Sequence, residues 1–155
     1  MEFLAELHPK VVHFPVALLI TYVILELIGI VFRKEFYQKA AHLLLFLGVI
    51  GAFFAVLTGN QAYTAYEYWN DSSSDLFNDH QTFANLTIWY FNGMLVLRTY
   101  LVVKKKFSSS YRHIILVLAL FGCYLVYQTA EHGGDLIKKF GVGTELNFNL
   151  TEPND

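Results

Sequence analysis

The sequence predicts an all-α integral membrane protein, a single four-helix up-and-down bundle with both termini on the same side. Three observations predict it. Apolar residues make up 55% of the 155-residue chain and charged residues only 15%, whereas a soluble domain carries about 25% charged residues. Four apolar runs each approach the roughly 20 residues that a helix needs to cross a hydrocarbon core. The links between these runs differ sharply in charge, so the bundle has two chemically distinct ends.

The first run, Val11 to Phe32, follows Pro9 and contains Pro15 near its start. Proline is tolerated there because the first turn of a helix leaves its N–H groups unpaired in any case. The opening Glu2 and Glu6 and the length of the run argue against a cleavable signal, so the segment is expected to remain as a span. The second run is Ala40 to Gly59, the third Phe83 to Val103 and the fourth His113 to Ala130. Each must be helical, because lipid offers the backbone no hydrogen-bond partners. Short links make neighbouring spans antiparallel. Ser108 to Ser110 form a short polar link, and Asn147 to Asp155 has the composition of a loose tail. The glycine-dense stretch Glu131 to Leu136 with Gly141-Val142-Gly143 is expected to turn and fold back along the outer surface.

Charge sets the orientation. The first link holds Arg33, Lys34 and Lys39, and the third holds Lys104, Lys105, Lys106 and Arg112. The middle link, Asn60 to Thr82, has no Lys or Arg but carries Glu67, Asp71, Asp75 and Asp79. The positive-inside rule then places both basic links in the cytoplasm and both termini in the periplasm of a bacterial inner membrane. Tyr63, Tyr66, Tyr68 and Trp69 follow the outer end of the second span, where an interfacial aromatic belt belongs. A net charge of −2 gives no reason to expect nucleic-acid binding. The single cysteine, Cys123, excludes an internal disulfide and a Cys-x-x-Cys haem-attachment motif.

With this orientation, His8, His13, His80 and His132 all lie at the outer side, and only His42 and His113 lie at the inner side. Imidazole is a standard ligand for haem iron, zinc and copper. A haem between helices takes an axial His from each of two facing helices at similar depth. His13 and His80 meet that condition first, with His132 and His8 as further candidates. Asp79 and Asp135 are candidates to orient the ligating rings from behind. The competing reading is that interfacial histidines only solvate their rings among headgroups. His42 and His113 allow a second haem at the inner side, or an exposed role.

Glu26 and Arg98 each lie about fifteen residues from the outer start of a span, a depth of roughly 22 Å. Ionisable groups at that depth are costly unless paired or snorkelling. Glu26 and Arg98 are expected to pair across the bundle; the competing outcome is that Arg98 snorkels inward and Glu26 is protonated.

The stretch Leu7-His8-Pro9-Lys10-Val11-Val12-His13-Phe14-Pro15, the pair Thr58-Gly59, His80, and Gly133-Gly134-Asp135-Leu136-Ile137 through Gly141-Val142-Gly143 together resemble a bacterial family of predicted four-helix membrane proteins, domain-of-unknown-function family 2231. Its signature opens L-H-P-x-x-V-H-F-P and closes G-G-x-L-V-Y-x-x-G-V-G-V. The resemblance spans essentially the whole chain. Two positions depart from it: Lys138 stands at the usual Tyr, and Phe140 at a frequent His. Some members are joined to c-type cytochrome domains, so the resemblance implies an electron-transfer setting. The expected function is a membrane-bound b-type cytochrome-like subunit, an electron-transfer or complex subunit rather than a stand-alone enzyme. Its haem b, one or two per chain, would pass electrons between quinol and a periplasmic cytochrome or other membrane subunits. The alternatives are a copper or zinc site on the same histidines, and a non-catalytic structural subunit of a membrane complex.

Overall fold

The computed structural model describes residues 2–106 and 109–144. Ser108 and the stretch Asn147 to Asp155 lie outside the described residues. The described chain is helical, in the order α1 (Glu2–Val11), α2 (His13–Phe32), α3 (Glu35–Ala65), α4 (Asp71–Val103) and α5 (Ser109–Phe140). α1 and α2 form one nearly continuous rod interrupted at Val12. Pro15 explains the break: it has no N–H to offer Val11, four residues back, and its ring crowds that carbonyl. Four helical stretches are long and apolar enough to cross a membrane: Phe3–Phe32, Glu35–Ala65, Asp71–Val103 and Tyr111–Phe140.

These helices run well past the minimal spans. The 33 residues of α4 make a rod of roughly 50 Å, against a hydrocarbon core of about 30 Å. Most of the excess lies at the end where the histidines gather. The acidic middle link is mostly helix, with only Tyr66–Asn70 between α3 and α4. Asn70 begins α4 with a capping box: its Oδ1 accepts from the Ser73 N–H at 2.9 Å, and its own N–H donates to Ser73 Oγ at 2.9 Å. The stretch Glu131 to Leu136 is not a turn. α5 continues through it to Phe140, and the chain leaves the helix only at Gly141, whose φ is 64°. Two adjacent glycines cost a helix about 1 kcal/mol each relative to Ala, which the packing around α5 overrides.

The helices form a square in which α2 meets α3 and α5, while α4 meets α3 and α5. Packing is closer within the α2–α3 and α4–α5 hairpins than between them. α1 lies against α3. The core includes Leu19, Tyr22, Leu45, Phe91, Met94 and Ile115. The outward faces carry Ile24, Phe54, Trp89, Val96, Val117 and Phe121, all exposed in the isolated chain. An apolar exterior around an apolar core suits a bundle whose solvent is lipid.

Glu26 and Arg98 meet on the diagonal of the square, α2 to α4. Arg98 Nη1 donates to Glu26 Oε2 in an ion pair, and the two residues are 0% and 2% exposed, Arg98 the more buried. Arg98 Nη2 donates to the Gln38 carbonyl at 2.9 Å, which ties in α3. The guanidinium also lies over the Tyr22 ring, 5.9 Å from its centroid. Of the two outcomes open from sequence, pairing is the one adopted, so Arg98 does not snorkel.

Candidate functional site

Three histidines come together at one end of the bundle. His8 is on α1, His80 on α4 and His132 on α5, and all three are half-buried. His8 interacts electrostatically with His80, and His80 with His132. His13 does not join them: it is exposed on the outer face of the rod. The reason is helical geometry. Five residues at 100° each put His13 about 140° around the helix from His8, so only one of the two can face the bundle. His8 does so because α1 lies against α3.

Each of the three rings is fixed through Nδ1. His8 Nδ1 lies 3.1 Å from Thr58 Oγ1. The Thr58 hydroxyl directs its proton to the Phe54 and Ala55 carbonyls at 3.0 and 3.1 Å, so it accepts from His8. His80 Nδ1 donates to the Thr129 carbonyl of α5 at 3.0 Å, and His132 Nδ1 to the Gln128 carbonyl of its own helix at 2.6 Å. A neutral imidazole that donates from Nδ1 keeps its lone pair on Nε2. The three partners therefore select one tautomer in all three rings, the one that ligates or accepts a proton through Nε2.

Two glycines make room for two of these rings. A Cβ on Gly59 would come within 2.9 Å of His8 Cε1, and one on Gly133 within 3.0 Å of His80 Cε1. Phe83 stacks on His132, with ring centroids 5.0 Å apart and planes at 28°. Thr87 of α4 and Thr129 of α5 join at 2.9 Å, just below His80. Thr58, Gly59, Thr129 and Gly133 thus belong to the site although none has the chemistry of a ligand. The sequence signal for them was positional: Thr58-Gly59 and Gly133 sit within the stretches shared with the family described above.

Asp79 and Asp135 do not orient the rings. Asp79 is exposed. Asp135 pairs with Lys139 at 2.8 Å, one turn along α5, although it lies near enough to His132 to interact electrostatically. Backbone carbonyls and a threonine hydroxyl take the role expected of the carboxylates. His42 and His113 lie at the opposite end, where His42 lines a cleft and His113 is exposed.

The outer aromatics pack on one another. Tyr63 stacks on Phe77 at 4.2 Å, Trp69 lies 5.0 Å from Tyr63, and Tyr66 donates its hydroxyl to the Phe140 carbonyl at 3.0 Å. They close the α3–α4 link over the end of α5.

Among the described residues, no three His, Cys, Asp or Glu side chains are grouped to hold a metal ion. A half-open apolar pocket of about 80 Å3, between Pro15, Ala52, Ala84 and Val126, reaches Thr87 and Thr129, and none of the three histidines lines it. The donor set suits a haem, which needs only two imidazoles. That pocket is too small to take a porphyrin.

A family model described as a predicted membrane protein (DUF2231) matches residues 5–146. The chain belongs to that family. The match takes in all three ring-fixed histidines and both glycines beneath them. In this DUF2231 member the two stretches at the ends of the match, around His8 and around Gly133, are brought to the same end of the bundle. No curated protein and no solved structure matches the chain.

Proposed function

We propose that this DUF2231 protein is a small b-type cytochrome-like subunit of a bacterial inner membrane, with its histidine end on the periplasmic side. The observation that supports it is the set of three imidazoles from three helices, each held by Nδ1 so that Nε2 carries the lone pair. Histidines that ligate a metal are usually held in this way, with the other ring nitrogen donating to a fixed oxygen. In this reading His80 would hold the iron, with His8 or His132 as the second ligand. His13 stays outside. The bound haem would supply one-electron chemistry. The chain's own residues hold and orient the rings, and exclude water below them with the Thr87–Thr129 layer and the apolar core. The acidic rim, Glu67, Asp71, Asp75 and Asp79, is exposed and suits docking of a basic electron carrier. Membrane quinol is the proposed reductant.

The absorption spectrum of the protein purified from haem-replete cells tests this. A Soret band that sharpens on reduction, is lost in His80→Ala and is unchanged in His13→Ala is the expected result. Elemental analysis for copper and zinc on the same sample tests the metal-ion alternative.

A second reading has its own support. His8 joins α1 to α3, and His80 joins α4 to α5, so the histidines also serve as fasteners between helices. If the protein carries neither a Soret band nor a metal, that structural role is what remains.

A further inference from the structure

The opposite end of the bundle carries a second site, unrelated to the histidine cluster and independent of the function proposed above. A cleft of about 630 Å3 opens where α3, α4 and α5 converge. Lys39 comes from α3, Lys105 from the end of α4 and Arg112 from the first turn of α5, with Arg98 at its buried floor. Leu43, Phe46 and Val102 form an apolar wall that continues onto the exposed, lipid-facing surface. Glu26 offsets the charge of Arg98, and Glu35 offsets part of Lys39 at 3.0 Å. Glu26 also lies within electrostatic reach of Arg112, and with Lys39, Arg98, Lys105 and Arg112 set against Glu35 and Glu26 the cleft keeps a net positive charge.

Two further observations point to an anionic, hydrogen-bonding occupant. The buried Nδ1 of His42, which lines the cleft, has no hydrogen-bond partner among the described residues. Lys105 holds a backbone conformation usually left to glycine. Its φ is 53°, and it closes α4 with its N–H on the Val102 carbonyl while the Lys106 N–H reaches the Leu101 carbonyl. This is the left-handed position of a Schellman motif, where glycine would be strain-free. The chain instead keeps a cation there, at the rim of the cleft.

We propose that this cleft binds the phosphate headgroup of an anionic phospholipid, with the phosphate on Lys105 and Arg112 and one acyl chain along Leu43, Phe46 and Val102. The chemistry matches on both counts: basic pockets between membrane helices hold anionic headgroups, and a mostly apolar wall open to lipid accepts a chain where a soluble anion gains nothing.

Native mass spectrometry of the full chain in neutral detergent tests it, with phosphatidylglycerol and phosphatidylcholine as probes. The wild type should retain phosphatidylglycerol at least about fivefold better than phosphatidylcholine, the ratio that one basic residue provides near a membrane surface. Lys105→Asn with Arg112→Gln should abolish the preference. Lys104→Gln with Lys106→Gln removes the same charge from positions that do not line the cleft, and should keep it. Equal retention of the two lipids by the wild type overturns the proposal. Equal loss in both double variants also overturns it, since bulk charge would then suffice. Displacement of phosphatidylglycerol by excess inorganic phosphate would assign the cleft to a soluble anion instead. Lys105→Gly guards against misfolding: it relieves the left-handed backbone, so a weakened lipid preference in that variant reports the lost cation and an unchanged preference overturns the proposal.

Discussion

At the histidine end, imidazoles from three helices spend one nitrogen each on a fixed oxygen, and two glycines are hollowed out beneath them. At the basic end, the cations of Lys105 and Arg112 stand around a cleft of about 630 Å3 whose shape they do not fill. The first end is organised by hydrogen bonds between helices, and the pocket that reaches its threonine pair holds only about 80 Å3. The second is organised by charge and leaves space open. A site built from matched hydrogen bonds should be sensitive to single atoms. A site built from charge should be sensitive to the number of cations and tolerant of their exact geometry.

The largest expected effect is total. His80→Ala should abolish any haem or metal signature, while His113→Ala at the other end should leave it intact; equal effects would erase the distinction between the ends. Next is the pair between them. Glu26→Ala strands a buried guanidinium and should destabilise the bundle by about 3–5 kcal/mol, measured by thermal or denaturant unfolding in micelles. An effect no larger than that of a surface substitution would show that Arg98 finds another partner. A smaller, sharper contrast lies within α5. Gly133→Ala pushes on the His80 ring and should cost about 1–3 kcal/mol. Gly134→Ala has nothing within 4 Å of the added Cβ and should stabilise the helix by about 1 kcal/mol. The two melting temperatures should therefore move in opposite directions. The smallest effect is at the basic end: Lys105→Gly should stabilise the fold by about 1 kcal/mol while weakening the lipid preference that Arg112 still supports.

The spans were legible because lipid demands long apolar runs, and run length survives in any composition. The depth match of Glu26 and Arg98 was legible for the same reason and led to the expected pair, but not to the α2–α4 diagonal on which it forms. Pairing depends on which helices lie across the diagonal, and charge and hydropathy do not specify that. The overhang of α3, α4 and α5 was missed because polar helix beyond the membrane has no hydropathy signal. Asp71 to Thr82 looks like a loop until the Asn70–Ser73 capping box is recognised. That only one of His8 and His13 could face the bundle was available from helical angle, but that it is His8 follows from α1 lying against α3. Depth along a span does not tell which side of a helix a residue occupies. Thr58 and Gly133 carry no ligand chemistry, so their roles emerge only once the rings they hold are in place.

The diagonal ion pair has a further consequence for how the bundle finds its alignment. Helices coated in Leu, Val and Phe can slide past one another in lipid with little penalty, because the bilayer is as apolar as the neighbouring helix. A slip of one turn, about 5.4 Å, would leave Glu26 and Arg98 out of reach of each other in the least forgiving part of the structure. The pair therefore acts as a vertical register mark. A chain carrying Glu26→Leu and Arg98→Met should keep its four spans and insert normally, yet populate several staggered alignments, visible as multiplied backbone resonances in NMR spectra.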